Sequence, residues 1–301
     1  MSSNPQLEWT AQKERTSSFW LKLMRGLALM FPRWLIKPLL HPIVLFYLLI
    51  SRQQKMASRH YLNQALGRPA RFVDVYRHFL WFAITILDRV YFLTGRTSAF
   101  KVRYNNLEEW YASMRENPAQ LYFGAHFGSL DAIRALSSDV HNIQIKVVLK
   151  VDQNEALVKL LNELNPNFKT AVIPYNGMQT IFDIHETIES GQSVAILKDR
   201  PVGQEATVSV RFFDDEMRIP ISGFKLAKRF KIPVMVFFSR FEGGNHYYVV
   251  GEQLQFDETA SLQEMAQCYM DKVAEQCRLS PYNWFNFYHY WVDKPDSDEH
   301  K

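Results

Sequence analysis

Cysteine is scarce in this sequence of 301 residues, in which only Cys268 and Cys277 occur. The two lie nine positions apart in a segment with helical periodicity, so their side chains should point to opposite sides and cannot form a disulfide. Unpaired thiols are typical of proteins in a reducing compartment. The sequence therefore argues against a small secreted fold stabilised by disulfides.

A long uninterrupted apolar run is also missing. The most apolar segment, residues 34–50, is interrupted by Lys37, Pro38, His41 and Pro42, which leaves eight consecutive apolar residues, IVLFYLLI. A helix that spans a membrane needs about 20 apolar residues, and proline bends or breaks a helix. We therefore expect this segment to enter the membrane interface without crossing the bilayer. A short true span and a helix buried in the protein's own core are the alternatives.

Acidic residues are scarce in the first third of the chain. Residues 1–100 contain fourteen Lys or Arg and four Asp or Glu, whereas residues 101–301 contain 21 and 27. The basic residues flank the apolar segment on both sides, which should keep both its ends on the cytoplasmic face of a membrane. They border apolar runs and show no DNA-binding spacing, so we expect a membrane surface and no nucleic acid as partner. No cleavable signal peptide is evident, because residues 1–18 are polar.

Several catalytic motifs are absent from the sequence, namely GxSxG, a GxGxxG after a strand, the P-loop and HExxH. The histidines at 60, 78, 185 and 289 lack the spacing of metal ligands, so we expect them to be structural or exposed. We predict neither a metal nor a cofactor.

Hydrophobic periodicity is what the sequence does contain. Residues 19–95 read as helices, and from there apolar runs alternate with amphipathic helical segments. Strands that alternate with crossover helices predict an α/β fold, a mainly parallel mixed sheet flanked by helices. We divide the chain into an N-terminal helical membrane-docking region, 1–100, and an α/β domain, 101–301, which form one structural unit. Strands are predicted within 120–124, 144–150, 170–175, 193–199, 233–241 and 246–254, with a hairpin over 209–219. Helices are predicted over 129–138, 154–165, 177–191, 221–231 and 262–279.

The segment GAHFGSLDA, residues 124–132, follows a predicted strand and carries the candidate chemistry. We place His126 in the loop, Ser129 as the N-cap of the next helix and Asp131 in its first turn. The loop could fold back so that Asp131 orients one ring nitrogen while the other takes a proton, as activation of a hydroxyl requires. Gly128 would leave the backbone open to a reactant, and the helix N-terminus could bind an oxyanion or a phosphate.

HFGSLD resembles the HxxxxD/E motif of the lysophospholipid acyltransferase superfamily, and residues 20–292 resemble the bacterial lipid A late acyltransferases in the order of their segments. VVLKVDQNEALVKLL is similar to the segment after the second strand, with Lys150 where an arginine is usual. GQSVAILKDRPVG places Asp199 and Gly203 on matching positions, with Arg200 where glutamine is usual. YMDKVAEQCRLSPYNWFNFY resembles the closing helix and its Pro-x-x-Trp end.

This resemblance implies transfer of an acyl group from an acyl-carrier-protein or CoA thioester to a hydroxyl of a membrane lipid or glycolipid. His126 would be the general base and Asp131 its partner. The substrate-binding candidates are Gly128, Ser129, Lys150, Asp199, Arg200 and Gly203. The docking region would be monotopic or a single short anchor, and Arg211 and Arg218 could contact an acidic carrier protein.

Two departures from the family pattern bear on which acceptor the protein would use. Asp131 stands where lipid A enzymes usually have Glu, and WFNFYHYW stands where they carry a basic pair after a Trp. The aromatic tail resembles a branch of predicted acyltransferases found with aryl-polyene and similar lipid pathways. It favours a substrate with flat apolar surface, unless the run forms a buried C-terminal plug. Two other functions stay open, a lipid-binding or assembly protein without catalysis and an acyl thioesterase.

Overall fold

The computed structural model describes residues 26, 28–132, 145–150, 163, 171–201, 205–289 and 291. Its helices are α1 Arg33–Ile36, α2 Leu40–Ile50, α3 Arg52–Leu66, α4 Phe72–Leu93, α5 Leu107–Glu116, α6 Met178–Glu189, α7 Ser222–Phe230 and α8 Leu262–Leu279. Its strands are β1 Lys101–Tyr104, β2 Leu121–Gly124, β3 Ile145–Leu149, β4 Val172–Pro174, β5 Ser193–Leu197, β6 Thr207–Phe212, β7 Asp215–Pro220, β8 Val234–Gly243 and β9 His246–Leu254. Gly203 and most of the helices predicted over 129–138 and 154–165 lie outside the described residues.

Seven strands form one mixed sheet in the order β1-β9-β8-β2-β5-β3-β4. The pairs β2–β5, β2–β8, β3–β5, β3–β4 and β1–β9 are parallel, and β8–β9 is antiparallel. The predicted α/β fold is therefore confirmed. Because β2, β3, β4, β5 and β8 run in the same direction, the loops that follow β2, β3 and β5 leave the sheet at one edge.

The hairpin β6–β7 forms a separate antiparallel sheet of two strands, as predicted. It packs beside α8, where the side chain of Gln267 binds the backbone of Arg211 at both its N–H and its carbonyl, 2.8 and 2.9 Å away. Arg211 and Arg218 are exposed on this hairpin. They are therefore accessible to a partner on that side of the molecule.

The N-terminal apolar segment stays helical past both of its prolines. Pro38 lies in a 3-10 turn, Lys37–Leu39, between α1 and α2, and Pro42 lies in the first turn of α2. The first turn of a helix has no acceptor for its N–H groups, so proline is tolerated there. The expected disturbance by proline is thus limited to one 3-10 turn at Pro38, and the helix continues through Pro42. The stretch Arg33–Ile50 is long and apolar enough to cross a membrane, with a mean hydropathy of 1.5 and 22% of it buried in the protein, which by itself is weak evidence for a span.

The helical region shares a hydrophobic core with the sheet. Val44 of α2, Tyr61 of α3 and Val75 of α4 belong to the same buried cluster as Phe123 of β2 and Val236 of β8. Burial of such side chains contributes roughly 1.5–3 kcal/mol each. The first helices are thus packed directly on the strands that carry the loop of residues 124–132.

A buried ion pair also attaches α1 to the sheet. Asp88 of α4 is fully buried and accepts bonds from Arg33 Nε and Nη2 at 2.5 and 2.8 Å, and from the Tyr247 hydroxyl of β9 at 2.7 Å. Burial raises the pKa of Asp88, and the bonds from Arg33 oppose that rise. The carboxylate is compensated at both oxygens, as a buried charge requires.

Candidate active site

His126 lies two residues beyond β2, at the carboxyl edge of the sheet. Its backbone N–H donates to Asp199 Oδ2 at 2.9 Å, and its carbonyl accepts from the Phe285 N–H at 2.7 Å. Asp199 lies two residues beyond β5, and Gly124 of β2 pairs with Leu197 of β5. Two neighbouring parallel strands therefore bring the histidine and the aspartate together.

The ring of His126 is held at one nitrogen and open at the other. Nδ1 lies 2.8 Å from Asp199 Oδ1, and no hydrogen bond to Nε2 is found among the described residues. A carboxylate only accepts hydrogen bonds, so Nδ1 carries the proton and Nε2 keeps its lone pair. The side chain of His126 is 24% exposed, whereas that of Asp199 is 0% exposed. Nε2 is thus a base within reach of a ligand.

The electrostatic surroundings keep this histidine neutral and the aspartate charged. Burial and the guanidinium of Arg200 lower the pKa of His126, and contact with Asp199 partly opposes them. Burial by itself would raise the pKa of Asp199, but His126 and Arg200 bring it below its usual value. A neutral imidazole aimed by a carboxylate is the form that general-base catalysis needs.

The structure replaces Asp131 by Asp199 as the partner of His126. Asp131 is buried and forms an ion pair with Arg89 of α4, whose Nε donates to Oδ2. The loop after His126 continues in β-like pairing, with Phe127 opposite Trp284 and Gly128 opposite Ser239, before the next helix begins. The chain is therefore carried away from the ring before it reaches Asp131. A carboxylate remote in the sequence, on the adjacent strand, takes that place.

Asp199 was predicted to lie in the substrate pocket, where it could form an ion pair with Arg200, and the structure shows further contacts of its carboxylate. Its Oδ2 accepts a second N–H from the Trp284 indole at 3.0 Å, and the residue is fully buried. Among the described residues, the three N–H groups that bind this carboxylate belong to His126 and Trp284. Asp199 is therefore placed to orient the ring of His126.

Gly128 and Ser129 each have a structural reason for their identity. Gly128 has a φ of +61°, and a Cβ at this position would lie 1.5 Å from the carbonyl oxygen of Ser239. Ser129 is buried, and its Oγ accepts the Ala132 N–H at 3.4 Å, so the predicted helix N-cap is confirmed. These contacts account for both residues without a ligand, and their contact with a substrate stays a prediction.

Lys150 and Arg200 lie at the same edge of the sheet as His126. Lys150 directly follows β3, Arg200 follows Asp199 beyond β5, and both are partly exposed. The charge of Arg200 acts on both His126 and Asp199. Their predicted contact with substrate phosphate or carrier is compatible with these positions and stays a prediction, as does that of Gly203.

Trp284 is the site residue that sequence analysis missed. It follows the 3-10 turn Pro281–Asn283, whose Asn283 carbonyl accepts the Gly128 N–H at 2.8 Å. The Asn283 side chain in turn binds the backbone N–H and carbonyl of Phe241 in β8. The signal was present in the Pro-x-x-Trp sequence after the last helix, which carried no assigned role.

Side chains of helices α3 and α4 bind the backbone of the Trp284 segment. His78 of α4 is fully buried, with Nε2 2.8 Å from the Trp284 carbonyl and Nδ1 2.8 Å from Ser58 Oγ. Burial lowers the pKa of His78 to about 4, so the ring is neutral at pH 7 and donates from Nε2. Tyr61 donates to the Pro281 carbonyl at 2.8 Å. The structural role expected of His78 is thereby confirmed.

The first residues of the aromatic tail are packed inside the protein. Trp284 and Phe285 are buried, and the Phe287 ring lies 4.6 Å from that of Phe79 and 4.7 Å from that of His78. From Trp284 to Phe287 the run thus packs against α4, whereas Tyr288 is partly exposed and His289 is exposed. The expectation of a substrate with flat apolar surface stays a prediction.

Comparison with known proteins points to a single family. Residues 7–292 match the family model described as bacterial lipid A biosynthesis acyltransferase. The match includes β2, the His126 loop, β5 and the Trp284 segment. No curated protein sequence matches the chain.

Proposed function

The chain belongs to the bacterial lipid A biosynthesis acyltransferase family, and from this premise we propose that it is an O-acyltransferase. It moves a fatty or polyene acyl group from an acyl-carrier-protein or CoA thioester to a hydroxyl of a membrane lipid or glycolipid. The observation that carries this proposal is the ring of His126, which is bound at Nδ1 by a buried carboxylate 2.8 Å away, is 24% exposed and has no hydrogen bond to Nε2 among the described residues.

The proposed reaction uses only groups of the site and the two substrates. Nε2 of His126 removes the proton of the acceptor hydroxyl as its oxygen attacks the thioester carbonyl. The C–S bond then breaks, and the thiolate takes the proton back from the imidazolium. Asp199 steadies the transient positive charge on the ring, and Trp284 fixes the carboxylate. One ester bond forms and one thioester bond is lost, so no metal or redox cofactor enters the balance.

The N-terminal region supports a membrane-bound acceptor. Met30, Trp34 and Leu49 are 77%, 73% and 81% exposed, although such side chains are usually buried. Basic residues border this apolar surface, and residues 26–73 contain no Asp or Glu. We propose that this surface docks on the cytoplasmic face of the inner membrane, where an acceptor lipid can enter from the bilayer. Arg211 and Arg218, exposed on the β6–β7 hairpin, are the proposed contact for an acidic carrier protein.

Product analysis with the full chain tests the proposal. The purified protein is incubated with acyl carrier protein that bears a radiolabelled acyl group, with and without a bacterial lipid extract. We expect labelled lipid that depends on the extract. Labelled free acid in both reactions would identify a thioesterase, and lipid binding without turnover would identify a binding protein.

Two histidine variants complete the test. His126→Ala should lower transfer by about 10²–10⁴-fold, the usual contribution of general-base catalysis. His185→Ala, which alters a histidine on α6 away from the site, should retain activity. If His126→Ala loses its fold together with its activity, or keeps full activity, the proposed role of the ring is wrong.

A further inference from the structure

A groove of about 570 Å³ lies between the N-terminal helical segment and the turn that joins β8 to β9. It is lined by Pro32, Arg33, Trp34, Lys37, Pro38, His41, Ala99, Gly244 and Asn245. We name it the hairpin groove, after the β8–β9 hairpin whose turn forms one side of it. It contains none of the residues of the His126 site, so it is a separate feature of the molecule.

Lys37 is the cation of the hairpin groove that lacks a counterion. It is partly buried, and its Nζ reaches the Gly244 carbonyl at 3.4 Å but no carboxylate within ion-pair distance among the described residues. Arg33, one turn earlier, is different because Asp88 compensates it on two nitrogens. Burial and the nearby charge of Arg33 lower the pKa of Lys37. An anion in the groove would stabilise the charged form of Lys37 and so oppose both the burial and the repulsion from Arg33.

Among the described residues, those that line the groove beside Lys37 carry no negative charge. His41 binds the Tyr76 hydroxyl through Nδ1 at 2.5 Å, and the Nζ of Lys37 also lies 5.9 Å from the centroid of the Phe241 ring. Asp88 is the nearest carboxylate that acts on Lys37, and it is buried and already bound to Arg33 and Tyr247. The groove therefore has charge complementarity to an anion and not to a cation.

The position of the groove identifies the kind of anion. Trp34 lines it and is 73% exposed, and Leu35 and Leu39 on the same segment are 44% and 49% exposed. Tryptophan with one wet and one apolar side favours the level of lipid headgroups, and basic residues at this level attract anionic lipids. A lipid phosphate fits this position best, because the apolar side chains beside Lys37 can contact the glycerol and acyl chains to which such a phosphate is attached.

We propose that the hairpin groove binds the phosphate of an anionic phospholipid headgroup, with Lys37 as its ion-pair partner and Trp34 against the glycerol and upper acyl chain. The proposal rests on the membrane docking proposed above and adds a defined site to it. The bound lipid is a docking ligand and not the acyl acceptor, because no residue of the His126 site lines the groove.

Vesicle co-sedimentation of the full chain tests this site. Binding is measured to phosphatidylcholine vesicles with and without phosphatidylglycerol, for the unaltered protein, Lys37→Gln and Arg59→Gln. Arg59 is exposed on α3 outside the groove, so its variant removes the same charge without touching the site. We expect Lys37→Gln to weaken binding to phosphatidylglycerol vesicles about fivefold or more, and Arg59→Gln to weaken it less than twofold. Lys37→Met, which keeps an apolar stem, should behave as Lys37→Gln does.

Three results would overturn the proposal. The first is an equal loss for Lys37→Gln and Arg59→Gln, which would mean that charge alone drives adsorption. The second is unaltered binding of both Lys37 variants. The third is displacement of the protein from vesicles by inorganic phosphate at constant ionic strength, which would identify a site for free phosphate. Because binding is read without catalysis, an inactive protein that still depends on Lys37 would refute the acyltransferase and leave the groove standing.

Discussion

Asp199→Asn is the substitution for which the structure predicts the sharpest effect on catalysis. Two N–H donors, from His126 and Trp284, point at Oδ2, so the single oxygen of an asparagine amide is drawn to that side. The amide NH₂ then faces Nδ1 of His126, which must accept instead of donate. The proton moves to Nε2, and the ring loses the lone pair that would remove the acceptor's proton.

The magnitude follows from the contacts that change. A hydrogen bond to a charged group contributes about 1.5–3 kcal/mol, equivalent to about 10- to 150-fold in rate. The wrong tautomer removes the base itself, whose full contribution is about 10²–10⁴-fold. We therefore expect Asp199→Asn to lower kcat by about 10³-fold and to approach the rate of His126→Ala. The double variant should be little slower than either single one, because the two residues act as a unit.

Initial rates of acyl transfer from labelled carrier protein provide the assay, with Asp131→Asn as the matched control. Asp131 is a buried aspartate of the same motif that pairs with Arg89, so its variant should lose far less activity. Circular dichroism and thermal unfolding establish that each variant folds. Activity of Asp199→Asn within threefold of the unaltered enzyme would refute the reasoning, as would a larger loss for Asp131→Asn.

The pH dependence gives a second view of the same pair. Activity requires neutral His126, so kcat/KM should rise with pH through a pKa that lies below the ordinary value of 6.5 and should be level at neutral pH. Asp199 is the group that raises this pKa, so in Asp199→Asn the acid limb of the residual activity should move to lower pH. A shift to higher pH would contradict the assignment.

Three further substitutions test the scaffold of the site. Gly128→Ala should lower the free energy of unfolding in urea by about 3 kcal/mol or more, because its Cβ meets the Ser239 carbonyl. Gly67→Ala, with the same φ and open space around it, should lower it by about 1–2 kcal/mol. Equal losses would show that the contact with Ser239 is unimportant. Arg89→Met should destabilise by about 1–3 kcal/mol, and adding Asp131→Asn should recover part of it, whereas additive losses would deny the ion pair. The pKa of His78 is about 4 in the folded protein and about 6.5 in the unfolded chain. As the pH falls through that window the free energy of unfolding should therefore fall by up to about 3 kcal/mol, and His78→Gln should remove this loss. An unchanged pH dependence in the variant would assign the effect to another group.

The sheet was predictable because its strands are short apolar runs separated by amphipathic helices. Strand β1 was missed for the opposite reason, since Lys101–Tyr104 is partly exposed and forms through pairing with β9, far away in the sequence. Helix α5 was missed as well, and its N-cap, Asn106, has a left-handed backbone without a side-chain capping bond. Strand β1 thus depends on tertiary pairing, whereas α5 carries a local signal that was overlooked, with Glu108 and Glu109 in its first turn and Arg115 in its last.

The candidate base was predictable, but its partner was not. His126 could be found from one loop after one strand, where small residues and an N-cap mark the end of β2. The choice between Asp131 and Asp199 depends on which strand lies next to β2, because Asp199 is 73 residues from His126 along the chain. Sequence proximity favoured Asp131, and the pairing of β2 with β5 favoured Asp199. A residue's partner in such a site is decided by sheet order, which a local motif does not encode.

The contact between Trp284 and Asp199 also has a consequence for biosynthesis. The indole that binds this carboxylate comes after every strand of the sheet and after helix α8 in the chain. A chain that ends before residue 284 would therefore contain both His126 and Asp199 and yet leave Asp199 without one of its three observed N–H donors. Protein synthesis has to reach the C-terminal turn before this contact can form.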